Sequence, residues 1–182
     1  MKLNRVSALV LLCAGVGFAS VVSTARAQCN SYPIAVAAST LVNVEPGTVL
    51  PNIFNGSQPG GMGWLTWTGD NSDGALVASL TAAGNSDTYT NPFNPDDHNL
   101  QTGDWVQSKP GVSNSKAVRD ALTNLEQSQI IVPVWDQASG QGGNALYHVS
   151  NFAIVQIISY DIPGGRITAQ FLGYTQCGTI TD

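Results

Sequence analysis

The longest apolar stretches lie near the end of the chain and predict a pair of antiparallel strands. Apolar residues fall on both alternating sets of positions from 147 to 160, as in a long strand that is covered on both faces. A second apolar run covers 167 to 174, and Pro163-Gly164-Gly165 separates the two runs with residues typical of turns. The two segments therefore predict a hairpin.

Shorter apolar runs predict further strands earlier in the chain. Residues 130–135 form one strand, which should be an edge strand or carry a bulge because Pro133 lacks a backbone donor. Gly140–Asn144 predicts its connection to the long strand at 147. Further strands are predicted at 33–38, 41–44 and 64–68, and in the last of these the spacing of Trp64 and Trp67 places them on opposite faces.

Two segments have the spacing of helices. Residues 117–125 repeat apolar side chains at intervals of one, three and four behind the capping candidates Ser113 to Ser115. Residues 73–84 predict a second helix with Asp73 as its N-cap and Gly84 at its end. That helix is apolar nearly all round, so the sequence predicts that it is buried.

These elements predict a mainly β fold with two short helices, of the α+β class, built as a compact barrel or sandwich. A chain of 182 residues is long enough for one such domain, which we assign to residues 28–182. The polar segment from Asn85 to Thr102 is its longest predicted loop, and long loops often carry function.

Residues 1–27 have the pattern of a secretory signal peptide. Lys2 and Arg5 precede an apolar run from Val6 to Val22, and Ala25-Arg26-Ala27 is a small-x-small cleavage sequence. We expect cleavage before Gln28, the alternative being a retained anchor. The protein is therefore expected outside the cytoplasm, secreted or in the cell envelope, with no membrane span after cleavage.

The mature chain is expected to be strongly acidic. Cleavage takes three of the seven Lys and Arg residues and none of the twelve Asp and Glu residues, which leaves a net charge of −8. Such a surface repels nucleic acids and anionic membranes. Cys29 and Cys177 are the two cysteines left in the mature chain, and an even pair in an oxidising compartment predicts a disulfide.

Several short segments between residues 60 and 174 form an ordered pattern. They are Gly63-Trp64-Leu65, Gly103-Asp104-Trp105-Val106, Lys109-Pro110-Gly111-Val112 with Val118-Arg119-Asp120-Ala121-Leu122, Ile131-Val132-Pro133-Val134-Trp135-Asp136, Phe152-Ala153 and Ile167-Thr168-Ala169-Gln170-Phe171. In this order they resemble the secreted C-terminal region of TadE/TadG-like proteins of tight-adherence (Flp-type) pilus assembly. The resemblance implies a β-rich domain of the cell envelope and no established catalytic residues.

That resemblance favours a structural or adhesion-type module without catalysis, with cell-surface or filament proteins as partners. Such pilus proteins usually begin with a membrane helix that is retained, whereas this chain has a cleavage sequence, so the expectation is a free secreted relative. The oligomeric state is left open.

The alternative is a secreted hydrolase. His148 and Asp136 are the candidates for a base and the acid that orients it, although the chain has no Gly-x-Ser-x-Gly sequence to supply a nucleophile. Asp104, which follows Gly103, is interpreted as a turn residue bonded to its own backbone.

Clustered oxygen atoms could bind a metal ion, although the predicted function requires no cofactor. Asp70 with Asp73, and Asp96 with Asp97, supply oxygens for a structural calcium ion, and His98 could hold a transition metal beside Asp96 and Asp97 in support of hydrolysis. As ordinary alternatives, Asp73 is a helix cap and His98 a solvent-facing loop residue.

The four tryptophans allow a third function, a carbohydrate-binding module. Exposed rings of Trp64, Trp67, Trp105 and Trp135 could form a platform for a sugar. Their apolar neighbours favour core packing instead.

Overall fold

A computed structural model describes residues 30–54, 63–81 and 84–176. The strands in chain order are β1 (Val36–Ala37), β2 (Val49–Leu50), β3 (Leu65–Thr66), β4 (Trp105–Ser108), β5 (Gln129–Ser139), β6 (Leu146–Asp161) and β7 (Arg166–Thr175). The two helices are α1 (Asp73–Thr81) and α2 (Lys116–Leu125). The predicted mainly β architecture with two short helices is confirmed.

The seven strands form one open sheet around the long strand β6. On one side β6 pairs with β5, and beyond β5 lies β1, which runs parallel to it. On the other side β6 pairs with β4 along one part of its length and with β7 along another. The short strands β3 and β2 continue outward from β4 and β7. The sheet of the described residues does not close, so the barrel that was one of the two predicted forms is wrong.

Two apolar clusters lie on opposite faces of β6. Phe152 belongs to one and Ala153 to the other, and successive residues of a strand point to opposite faces. The larger cluster joins the sheet to both helices through residues such as Leu80 and Leu122. The smaller cluster joins β4 and β6 to the segment before β4 through Tyr89 and Leu100. Both faces of β6 are therefore covered around Phe152 and Ala153.

The helices begin where local hydrogen bonds satisfy their first amides. Ser115 caps α2 by accepting a hydrogen bond from Val118 N (3.4 Å), as the sequence predicted. Ser72, not Asp73, caps α1, because its Oγ accepts from Ala75 N (3.1 Å). The prediction that α1 is buried is right for only one side of the helix, which carries Leu76, Ser79 and Leu80.

The predicted hairpins are confirmed, while the N-terminal strand predictions are only partly right. β6 and β7 pair from Phe152 to Asp161, and β5 and β6 are joined at Gly140 to Ala145. The predicted strand at 33–38 is reduced to Val36–Ala37. The one at 41–44 is absent because the chain turns there, with Asn43 at a φ of 58°.

Candidate functional site

Asp136 lies at a bulge in β5 and contacts His148 on β6. Trp135 pairs with Val149, and the next paired residues are Gln137 and His148, so Asp136 is the extra residue in β5. Its Oδ1 accepts a hydrogen bond from His148 Nδ1 at 2.6 Å. In the neutral tautomer with its proton on Nδ1, Nε2 is the acceptor nitrogen. The two candidates predicted from the sequence thus meet.

Aromatic rings flank this pair on the same face of the sheet. Trp105 on β4 pairs with His148 on β6, and their ring centroids lie 5.3 Å apart. Phe93 stands edge-on to Trp105, with centroids 6.1 Å apart and an interplanar angle of 89°. The four side chains of Phe93, Trp105, Asp136 and His148 form a continuous patch, which we call the Trp105 surface.

The Trp105 surface is open to solvent but fixed from beneath. Phe93 is 68% exposed, and the side chains of Asp136 and His148 are 39% and 24% exposed. Below them the hydroxyl of the buried Tyr89 donates to the carbonyl oxygen of Trp105 (2.9 Å). Burial raises the pKa of Tyr89 well above its ordinary value, so this hydroxyl keeps its proton. The backbone that carries Trp105 is therefore held in place.

A buried carboxylate lies beside this surface. Asp104 accepts hydrogen bonds from Gln101 N (2.8 Å) and from the Asn91 amide (3.3 Å), which also donates to Asp97 (3.2 Å). The hydrogen bond from Gln101 N agrees with the interpretation of Asp104 as a turn residue. Burial raises the pKa of Asp104, and the nearby Asp97 raises it further, against the opposing effects of the Gln101 bond and His148. Two carboxylates thus share one amide next to Trp105.

Asp96, Asp97 and His98, the metal-ligand candidates of the long loop, have different surroundings in the structure. Asp97 is tied to its own loop by bonds from Asn91 and from Asn99 N (3.0 Å). His98 Nδ1 lies 2.9 Å from the carbonyl oxygen of Tyr89, to which it donates. Asp96 is exposed. These three side chains do not converge on a common point.

Asp70 and Asp73 make local contacts near the start of α1. Asp70 Oδ1 accepts from Ser72 N (2.8 Å), and hydrogen bonds from Ser72 lower its pKa. Asp73 Oδ1 lies 3.1 Å from the buried Lys109 Nζ. Burial opposes ionisation of Asp73, but the bonds from Lys109 and Ser115 outweigh it and lower its pKa. An ammonium group thus faces the carboxylate that was a calcium candidate.

Metal binding stays a prediction. Across residues 30–54, 63–81 and 84–176, no group of three or more His, Cys, Asp or Glu side chains is arranged to hold an ion.

The tryptophans do not form a joint platform. Trp64 and Trp67 are buried on opposite faces in the two apolar clusters, as their spacing predicted. Trp135 packs on Tyr147 at a centroid distance of 4.9 Å, facing the smaller cluster. Trp105 is the one that joins an exposed patch. The favoured prediction of core packing is therefore confirmed for Trp64 and Trp67, which cannot contribute to an exposed platform.

Two described cavities lie away from the Trp105 surface. One, of about 130 Å³, lies between α1 and the segment around Thr66 and Trp67. The other, of about 230 Å³, lies at the far end of β6 beside Tyr160 and Arg166. Neither is lined by His148 or Asp136, so these two residues stand on an open face and not in either cavity.

Some earlier expectations concern residues outside those described. The signal peptide (residues 1–27), Cys29 and Cys177 are among them, so cleavage and the disulfide stay predictions. Within the described ranges, neither helix has the length and apolar character needed to cross a membrane.

Sequence reasoning missed Phe93 and Asn91 as members of this region. Both lie in the long polar loop that the sequence predicted, but nothing in their local pattern indicates contact with β4. The signal that could have found Phe93 is its isolation, as an aromatic residue among polar neighbours and prolines in a loop.

Comparison with protein-family models, with curated proteins and with solved structures found no match to this chain. The resemblance to TadE/TadG-like proteins therefore stays a prediction.

Proposed function

We propose that this chain is a binding module of the cell envelope or the extracellular space, of the structural or adhesion type, and that it binds through the Trp105 surface. The observation that carries the proposal is the edge-to-face contact of Phe93 with Trp105, and of Trp105 with the tilted ring of His148, on a face open to solvent. Exposed aromatic side chains with adjacent polar groups are typical of the centres of protein interfaces.

Further support comes from the rigidity of this region. The Tyr89 hydroxyl holds the Trp105 backbone, and the Asp136 carboxylate holds the His148 ring. Side chains that are ordered before binding lose less conformational entropy when a partner arrives. The patch is thus suited to recognition and needs no catalytic step.

Cell fractionation tests this proposal. The resemblance to pilus-assembly proteins leads us to expect that the protein co-purifies with surface filaments or envelopes of the cells that produce it. Recovery of the protein solely as a free monomer in the medium would contradict an envelope role.

A second candidate function is hydrolysis, favoured by the hydrogen bond between His148 and Asp136. A carboxylate that accepts from Nδ1 orients the imidazole and leaves Nε2 able to take a proton from water or a hydroxyl. Among the described residues, however, no serine, threonine or tyrosine hydroxyl is hydrogen-bonded to Nε2 of His148.

An esterase assay with p-nitrophenyl acetate separates the two candidates. Hydrolysis by the purified protein that is lost in the His148→Ala variant would favour the enzyme. If the two proteins hydrolyse the ester equally slowly, the binding module is favoured.

A further inference from the structure

Among the residues that the structure describes, no Lys or Arg pairs with the acidic residues near the Trp105 surface. Residues 84–106 contain four aspartates and no Lys or Arg. One of these aspartates, Asp104, is buried beside Asp97, and the two share the Asn91 amide. Asp136 adds a further carboxylate, whose described partner is His148.

The basic side chains of the described residues lie elsewhere. Lys109 is buried against Asp73, and Arg166 pairs with Asp161. Asp161 ends β6, thirteen residues beyond His148, which is roughly 40 Å along an extended strand. Lys116 and Arg119 lie on α2, whose Arg119 carbonyl accepts from Tyr160, next to Asp161. Within the described part of the chain, the acid groups and aromatic rings around Trp105 therefore lie apart from these Lys and Arg side chains.

The Trp105 surface offers a cation two kinds of contact. Oδ1 of Asp136 is taken by His148, and among the described residues no partner holds Oδ2. The rings of Trp105 and Phe93 lie alongside, and indole is the strongest cation–π partner among protein side chains. A guanidinium group can both stack on an aromatic ring and bond a carboxylate.

Building on the proposed function, we propose that the Trp105 surface binds an arginine or lysine side chain presented by another protein. A bound cation would compensate the carboxylates of Asp97, Asp104 and Asp136, whereas an uncharged sugar would leave them uncompensated. Charge complementarity thus selects a basic protein segment as the partner.

A pair of peptides tests the need for charge. The purified protein, labelled with ¹⁵N, is titrated with acetyl-Gly-Arg-Gly-Arg-Gly-amide and then with the same peptide carrying citrulline in place of arginine. Citrulline has nearly the same shape but no charge. We expect the arginine peptide to shift the Trp105 indole signal and to bind about tenfold more tightly than the citrulline peptide.

Matched variants test whether the arginine peptide binds at the Trp105 surface. Asp136→Asn should weaken binding of the arginine peptide about tenfold, because it removes the carboxylate and keeps its shape. Asp120→Asn, an exposed change on α2 beside Lys116, should leave binding unchanged. Equal affinity for both peptides, or equal weakening by both variants, would overturn the proposal.

Failure of this inference is distinguishable from failure of the proposed function. If Trp105→Ala abolishes attachment to isolated envelopes but the two peptides bind equally weakly, the surface binds another class of ligand, and competition by soluble polysaccharide would identify a carbohydrate. If Trp105→Ala leaves attachment unchanged, the proposed function itself fails.

Discussion

Nδ1 of His148 lies 2.6 Å from Oδ1 of Asp136, the extra residue of a bulge in β5. Asp136 stands between Trp135, which pairs with Val149, and Gln137, which pairs with His148. The contact joins a carboxylate of β5 to an imidazole of β6, next to the ring of Trp105. The pairing of β4, β5 and β6 thus brings acid and aromatic groups together in the Trp105 surface.

The pairing of Lys109 with Asp73 should be important for stability. Lys109 is buried, and its described partners are Asp73 and Ser113 Oγ (2.7 Å). Asp73→Ala removes the carboxylate that pairs with the buried ammonium group of Lys109. We therefore expect the free energy of unfolding to fall by about 2 kcal/mol. Urea unfolding measures this change.

Two controls accompany that experiment. Asp120→Ala breaks the exposed pair with Lys116 and should cost about 0.5 kcal/mol or less. Adding Lys109→Met to Asp73→Ala removes the unpaired charge and should recover part of the loss. Equal costs for Asp73→Ala and Asp120→Ala would show that the buried pair contributes no more than a surface pair.

Asp104 should favour the folded state more at acidic than at neutral pH, whereas a carboxylate paired with a cation favours it more at neutral pH. Because burial raises its pKa in the folded protein, its contribution to stability is fully present below the pKa of the unfolded chain and is lost as pH rises through the folded pKa. The stability of the wild type relative to Asp104→Asn should therefore increase from neutral to acidic pH. Urea unfolding of both proteins over that range measures the difference, and a constant difference would contradict the raised pKa.

Gly84 should tolerate a side chain far less well than Gly47. Both have a positive φ, of 81° and 95°, so alanine at either position costs about 1–2 kcal/mol for the backbone. A Cβ at Gly84 would also overlap the carbonyl oxygen of Ser31, whereas nothing lies within 4 Å of one at Gly47. We expect thermal unfolding to show a further loss of about 1–3 kcal/mol for Gly84→Ala. Equal losses would mean that the Ser31 contact relaxes freely.

From the predicted disulfide between Cys29 and Cys177, and the predicted removal of Cys13 with the signal peptide, we expect the mature protein to have no free thiol. Closing so long a loop stabilises a fold by up to ~5 kcal/mol in the chain-entropy model. Alkylation followed by mass spectrometry should label neither cysteine before reduction and both after it, and reduction should lower the melting temperature. Labelling of both cysteines without a reductant would contradict the prediction.

The parts of the fold that local patterns encode could be predicted from the sequence. The spacing of apolar residues located α2, and the turn residues after β6 located its hairpin with β7. Whether the sheet closes could not be predicted in this way, because β1, β2 and β3 each contain only two residues. Strands so short depend on their partners, not on their own periodicity.

Residues of the candidate site could be picked out from the sequence by their type, but the contacts among them could not be predicted. His148 and Asp136 attract attention because histidine is rare in this chain and an acid can orient it. Their contact depends on the pairing of β5 with β6, and the contact of Phe93 with Trp105 depends on how a long loop folds back on β4. Both are set by long-range register, which a single sequence does not reveal.

The most direct test of the Trp105 surface is the affinity of purified variants for isolated envelopes or surface filaments of the cells that produce this protein. Phe93→Ala and Trp105→Ala should each weaken attachment about tenfold or more, as at the centre of an interface. Val42→Ala, which truncates a side chain that is 65% exposed elsewhere, should attach like the wild type. Circular dichroism confirms that each variant is folded. If all three variants attach with the affinity of the wild type, the Trp105 surface is not the binding site.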